Sequence, residues 1–469
     1  MNEVEEIERR YRAIQEEQFQ GLSLEGRRKI EREKERIEGR RAGERIAEGI
    51  KTSEKRLADP SLGESQREKE TQRLEYLLRG RLHGDISAEE YDATERKLKT
   101  LLAGRLTPEE LAAEDEALAT KRQQAFTSRI HEILFAAVID GSTTAVQECC
   151  SLAERLLTSD TENVESHIFA AKVCDLCGDV EKAALIVNDI VARRPDDKMR
   201  GIQFPVGLAG GFWAGTLYKR CGKAELALGT YESLQQSLGD QQGKEFYQIL
   251  CRMYEAEVYS TMLKNKDRAI ERLESIAAIN MDPKDSPNDN TSGLDVFKNW
   301  ALYFRDRLQG ETKTASVAQP DKSLIMWMYP YIHAQMVGII NEPEVGFYDG
   351  ERSALRTTAL DRAIENGSSV IDREMSQLAY GVLAFGWFPS GNSEPKSLQK
   401  AEKHLFDLFK GDSFWAPVAG MSLAYGQAVR GKTAESDATY EQVKQRFPEY
   451  ESLIEQSKQS LAQQPPRKR

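Results

Sequence analysis

One layout recurs along this chain: a helix, a glycine-centred turn, and a second helix built around a small residue. It constrains the fold more than any other feature. In the first copy Ala171 and Cys174 stand on the first helix, Gly178-Asp179 turns, and Ala183, Val187 and Ile190 follow before Pro195. In the second, Gly215 and Tyr218 precede Gly222-Lys223, and Ala227, Tyr231 and Leu234 hold the same offsets. In the last, Ala424 precedes Gly431-Lys432, then come Tyr440, Val443 and Pro448. A further copy, from about Cys251 to Pro283, keeps Ala269, Leu273 and Ile276 but has no turn glycine. Two antiparallel helices approach closely only where the crossing residues are Ala or Gly, and larger residues four and seven positions later fill the gap to the next pair. An all-α fold of stacked helix pairs is therefore expected, and almost no alternating strand pattern competes with it.

The front of the chain differs. Apolar residues make up 40% and charged residues 30% of the whole, an imbalance concentrated in residues 1–122. Val4, Ile7, Tyr11 and Ile14 follow a 3-4-3 seam, which then thins to Ile30, Ile37, Ile46 and Ile50. Opposite charges four residues apart support an exposed helix. Residues 1–58 thus read as a charged arm, either a solvated helix or a short coiled coil that pairs with a second copy. The turn cluster Asp59-Pro60-Ser61-Leu62-Gly63 marks a boundary. In the small helical pair expected at 64–122, Ser87/Glu90 and Thr107/Glu110 have the spacing of capping boxes, and Pro108 suits a first helical position. All five tryptophans lie beyond residue 200, which places the core in 123–458. Residues 459–469, ending Arg467-Lys468-Arg469, read as a disordered basic tail.

The repeated layout resembles the tetratricopeptide repeat (TPR) family, whose unit is a helix–turn–helix of about 34 residues. The likeness covers 164–197, 208–240 and 415–448. It departs at Ser436, where the family prefers Ala, and in the irregular spacing between units; 284–410 reads as helical but not regularly repeated. The resemblance implies an antiparallel helix-pair solenoid whose concave face, built by first helices, binds an extended or helical peptide. The corresponding positions carry Ile168, Lys172, Asp175, Phe212, Thr216 and Lys219, so a partner surface is expected at Lys172, Phe212, Thr216 and Lys219. Some family members grip a C-terminal carboxylate with Lys and Asn, but no such asparagine pair is present. Separately, Leu77-Leu78, Gly84, Ile86, Ser87, Glu89-Glu90, Tyr91, Lys97 and Leu101-Leu102 resemble the SHOCT (short C-terminal domain) family. That implies an oligomerisation or protein-contact element, here in the first quarter of the chain rather than at its end.

Motifs that could carry chemistry are weighed against this frame. Gly426 to Thr433 matches G-x-x-x-x-G-K-[ST], with Gly426, Gly431, Lys432 and Thr433 at the defining positions. Phosphate binding by that loop needs a buried strand before it, whereas the preceding residues are rich in Ala and Gly. Gly431-Lys432 also falls on the repeat turn, so nucleotide binding is the alternative reading and a turn the first. Cys174-x-x-Cys177 could join Cys149-Cys150 as four sulfur ligands, but adjacent cysteines face different sides of a helix and a zinc site is not expected. His83, His131, His167, His333 and His404 form no ligand pair, and His167 sits at a repeat core position. No catalytic constellation or cofactor is expected.

The formal charge of −11 opposes a phosphate backbone, so nucleic acid is not an expected partner. The apolar run 324–340 holds Pro330, His333 and Gln335 and is short for a membrane span. The acidic first 20 residues lack the pattern of a secretory signal, so a cytoplasmic protein with reduced thiols is expected. The sequence points to a non-enzymatic interaction scaffold that binds a protein partner through the solenoid and self-associates through the arm. A self-assembling structural subunit is a further alternative.

Overall fold

The computed structural model describes residues 24–83, 86–138, 141–159, 161–197, 206–239, 244–279, 291–310, 360–361, 363–365, 370–385 and 395–463. All regular elements among them are helical, and they divide into two compact units. The seam at Val4 to Ile14 and the apolar run 324–340 lie outside the described residues.

The first unit contains α1 (Leu24–Leu57), α2 (Glu64–Arg81), α3 (Ala88–Ala103) and most of α4 (Pro108–Val138). The turn cluster after α1 is a tight reversal. Asp59 accepts from the Ser61 amide at 2.9 Å and its hydroxyl at 2.7 Å, and Arg67 donates to the Leu57 carbonyl at 2.8 Å. α2 then returns along α1. Leu77 fills the space left by the missing side chain of Gly49, and Ser53 donates to Glu70 at 2.6 Å from a fully buried position. Lys97 of α3 pairs with Glu54 at 2.7 Å. The expected division between an arm at 1–58 and a pair at 64–122 therefore does not follow the packing: from about Gly43 onward, α1 is part of the unit's core.

Both capping boxes form. The Ser87 hydroxyl accepts from the Glu90 amide at 3.2 Å while Glu90 accepts from the Ser87 amide at 3.1 Å. Thr107 and Glu110 repeat the exchange at 3.3 and 2.9 Å. Each cap contributes about 1 kcal/mol. Behind them Leu78, Leu98 and Leu102 are buried, and Tyr91 meets Phe126 edge-on at 5.4 Å.

The second unit begins at His131, inside α4 and not at residue 123. It continues through most of α5 (Thr143–Ser159), then α6 (Val164–Leu176), α7 (Val180–Arg193), α8 (Val206–Arg220), α9 (Ala224–Ser237), α10 (Lys244–Glu257), α11 (Lys266–Ala277) and α12 (Thr291–Gln309). After these come α13 (Val370–Ala384), α14 (Pro395–Lys410), α15 (Ala416–Val429), α16 (Thr433–Arg446) and α17 (Glu451–Gln463). From α6 to α12 and from α13 to α16, each helix packs on the next. α17 carries helix through residues 459–463, which corrects the expected start of a disordered tail at 459.

The repeated turns share one hydrogen-bond pattern. Gly178, Gly222 and Gly431 have φ of 95°, 73° and 78°, the left-handed conformation that closes a helix end. The residue after each glycine donates back five positions: Asp179 to Cys174 at 2.8 Å, Lys223 to Tyr218 at 2.9 Å and Lys432 to Gln427 at 2.9 Å. The small residues lie where expected. A Cβ on Gly215 would sit 2.4 Å from the Tyr231 ring, so only glycine admits that tyrosine. Ser436 departs from alanine without harm to the packing, because its hydroxyl donates to the Ala424 carbonyl at 2.7 Å across the pair.

The copy without a turn glycine uses another device. Lys264 stands at the glycine's offset from Ala269 and takes φ of 54°, the one non-glycine positive φ among the described residues. The helix before it ends in a π turn, Val258–Met262, and Asn265 donates back six positions, to Tyr259, at 2.7 Å. One residue has been added to the turn. A left-handed non-glycine residue costs about 1 kcal/mol, so Lys264→Gly should stabilise the chain by about that amount, offset in part by glycine's greater freedom when unfolded. Thermal unfolding should show a rise in Tm of about 2 °C; a fall would show that the lysine side chain holds the turn.

Candidate functional site

Three of the four residues expected to line a partner groove are buried. Phe212, Thr216 and Lys219 are 1%, 2% and 1% exposed, and Lys172 is half-buried. α6 and α8 are buried on nearly every side, as expected of a helix apolar all round. Each is tied to the first helix of the following pair by an ion pair. Asp175 on α6 pairs with Arg220 on α8 at 2.9 Å, and Lys219 on α8 pairs with Glu257 on α10 at 2.6 Å. The chosen offset therefore faces the neighbouring repeat. Periodicity marked the side chains as special but could not say which neighbour they meet.

That offset instead builds a buried polar network. The Lys219 Nζ lies 2.6 Å from Glu257 and 4.0 Å from the centre of the Tyr254 ring. Tyr254 meets Phe212 edge-on at 4.9 Å, and the Thr216 hydroxyl donates to the Phe212 carbonyl at 3.1 Å. Two residues before Glu257, fully buried Glu255 accepts from Gln235 at 2.5 Å and faces Arg272 at 3.1 Å. Burial outweighs these partners and pushes the Glu255 carboxyl up to about 7, with Glu232 adding to the rise and Arg272, Gln235 and Arg252 opposing it. The π turn starts directly after Glu257. Such turns are rare in α-helices.

The G-x-x-x-x-G-K-T run is a helix–turn–helix junction. A helix precedes it, not a strand, and Gly426 is buried in α15 with the Phe385 ring where its Cβ would be. The Lys432 and Ser436 amides bond to the Gln427 and Lys432 carbonyls, and Lys432 Nζ lies 3.3 Å from both Glu402 and Glu435. The groups that would cradle and reach a phosphate are engaged within the fold. The strand that a nucleotide-binding loop through Gly426, Gly431, Lys432 and Thr433 would need is replaced by α15.

Cys149 and Cys174 are buried and Cys150 and Cys177 are half-buried, and burial pushes the Cys174 thiol up to about 12. Among the described residues no group of three or more His, Cys, Asp or Glu is arranged to hold a metal ion. His167 is a packed residue: it lies 2.8 Å from the Asn163 carbonyl and 3.1 Å from Arg193.

One open cleft, of about 550 Å³, lies in the first unit between α2, the end of α3 and the start of α4. Its cations are satisfied: Arg79 bridges Glu75 and Glu114, and Arg105 bridges Glu68 and Glu75. Large apolar side chains stand exposed at Tyr76, Leu185, Leu226, Leu263 and Phe406. Leu185 and Leu226 are on the outer faces of the second helices α7 and α9. Sequence reasoning missed this exposed pair, since single leucines on a charged helix carry no distinguishing signal. No described helix is long and apolar enough to cross a membrane. No family model matches the chain, and no curated protein matches it.

Proposed function

We propose that the chain is a non-enzymatic protein–protein interaction scaffold of TPR-like helix pairs. The observation that carries this reading is the shared turn at Gly178, Gly222 and Gly431, with one hydrogen-bond pattern and one set of buried offsets. Helix pairs built this way stack into extended surfaces whose chemistry varies without changing the frame. Because the first-helix faces are filled, the partner meets the outer faces of α7 and α9 around Leu185 and Leu226, 56% and 51% exposed. Self-association through Val4, Ile7, Tyr11 and Ile14 belongs to the same proposal, as does a reducing, cytoplasmic setting for the six free thiols. A monomer by light scattering of the full chain would remove the self-association.

The test is a cross-linked purification of partners with the native chain and with the double substitution Leu185→Glu, Leu226→Glu. Exposed positions tolerate such changes within about 0.5 kcal/mol, so the unfolding midpoint should hold while a reproducible partner is lost. An unchanged partner set with the variant would overturn this surface.

A further inference from the structure

Buried glycines in the helices of the second unit make room for a neighbour. Where a Cβ would stand, Gly215 meets Tyr231, Gly381 meets Leu405, Gly420 meets Phe409 and Gly426 meets Phe385. Gly229, in the middle of α9, breaks this rule. It is exposed, and nothing lies within 4 Å of the place its Cβ would take. A glycine inside a helix destabilises it relative to alanine, and no packing contact at that place offsets the loss. Leu226, three residues earlier and exposed, stands on the same face. The surface of α9 thus carries a knob and a notch side by side.

The two are complementary to each other under a simple symmetry. A twofold axis through this face, midway between Leu226 and Gly229, sets a second α9 antiparallel to the first. Each Leu226 then lies opposite the second copy's Gly229, and both notches are filled at once. The same operation brings Lys223, the cap of α9, level with the second copy's Glu232 on the flank of the seam. Their side chains are 46% and 47% exposed. Within the chain Lys223 pairs with Glu181 at 3.2 Å and Glu232 with Arg272 at 3.4 Å. Such solvent-accessible pairs contribute little and exchange readily. Opposite charges on the flanks of a helix seam set partner and direction.

We propose that the outer face of α9 is a homodimer contact, in which a second copy of this chain docks antiparallel across Leu226 and Gly229. The proposal rests on the reading that the outer faces of α7 and α9 are contact surfaces, and names what α9 meets. A glycine at the crossing lets two helix backbones approach closely, as Gly215 does inside the fold. The charges select the direction: a parallel arrangement places Lys223 beside Lys223 and Glu232 beside Glu232, which is repulsive. One helix per copy is a small interface, so the association is weak and depends on concentration.

The test mixes isotopically heavy and light full-length chains, treats them with a zero-length carbodiimide cross-linker and maps the products by mass spectrometry. The expected product is a Lys223–Glu232 link between a heavy and a light chain. Within one chain these residues are about 14 Å apart along α9, too far for that reagent. Gly229→Ala separates the surface from the fold. Alanine favours the helix, so Tm should rise by about 2 °C. Its methyl group enters the notch, so the yield of the mixed link, at concentrations where the dimer is the minor species, should fall about tenfold. Absence of the mixed link from the native chain, or its persistence undiminished in Gly229→Ala, would overturn the homodimer. If no mixed link forms but Leu226→Glu removes a different protein from the cross-linked purification, the contact surface stands and the second copy is not its occupant.

Discussion

Lys219→Ala should lower the unfolding free energy by about 3–5 kcal/mol, the cost of breaking a buried ion pair from one side. Lys219 and Glu257 have fully buried side chains, 2.6 Å apart. Removing the ammonium leaves a carboxylate with no water to solvate it and takes the cation from the face of Tyr254. Urea unfolding should show a midpoint lower by about 1 M or more. The double change Lys219→Met, Glu257→Leu separates lost charge from lost packing. Replacing both partners by apolar side chains of similar size is often neutral, so the double variant should recover most of the loss. A single variant within 1 kcal/mol of the native chain would mean that water reaches the pair.

The contrast between this pair and the turns shows what sequence could carry. The turn glycines, the capping boxes at Ser87 and Thr107, and the small residues at 171, 215 and 424 are local demands. Each is set by backbone conformation or by one crossing helix, so residue type and spacing expose it. Lys219 and Glu257 are 38 residues apart, on α8 and α10, and nothing local distinguishes them from lysines and glutamates on solvated faces. A periodic pattern states that a helix has a special face. It does not say whether that face meets a partner or the next repeat, and here that ambiguity moved Phe212, Thr216 and Lys219 from an expected groove into the core. The α1–α2 return was hidden for a related reason. Its contacts use Gly49, Ser53 and Glu70, which in a chain so rich in charge read as surface.

Glu255 predicts a distinctive pH response. Its carboxyl is fully buried and pushed up to about 7 in the fold, against an ordinary value near 4.5 when the chain is open. A raised acid binds its proton more tightly in the folded state, so between about pH 4.5 and 7 the folded chain holds the proton and the unfolded chain releases it. Stability from this group is therefore greatest below pH 4.5, falls as pH rises through that window, and is level above it. The full swing is of order 3 kcal/mol. The cations facing this carboxyl, Arg272 from α11 and Arg252 from its own helix, stay charged across that range; Gln235 from α9 is neutral, and Glu232 stands on the same helix as Gln235. Glu255→Gln keeps the acceptor for Gln235 and removes the proton equilibrium. At pH 8 the variant should be more stable than the native chain by about 2–3 kcal/mol, and near pH 4.5 the two should converge. Urea midpoints for both chains at half-unit pH steps give the difference directly, with the carboxylates common to both cancelling. Parallel curves would place Glu255 in water with an ordinary carboxyl. A gap that opens above pH 5 would locate the cost of ionisation in the layer that joins α9, α10 and α11, beside the added residue of the π turn.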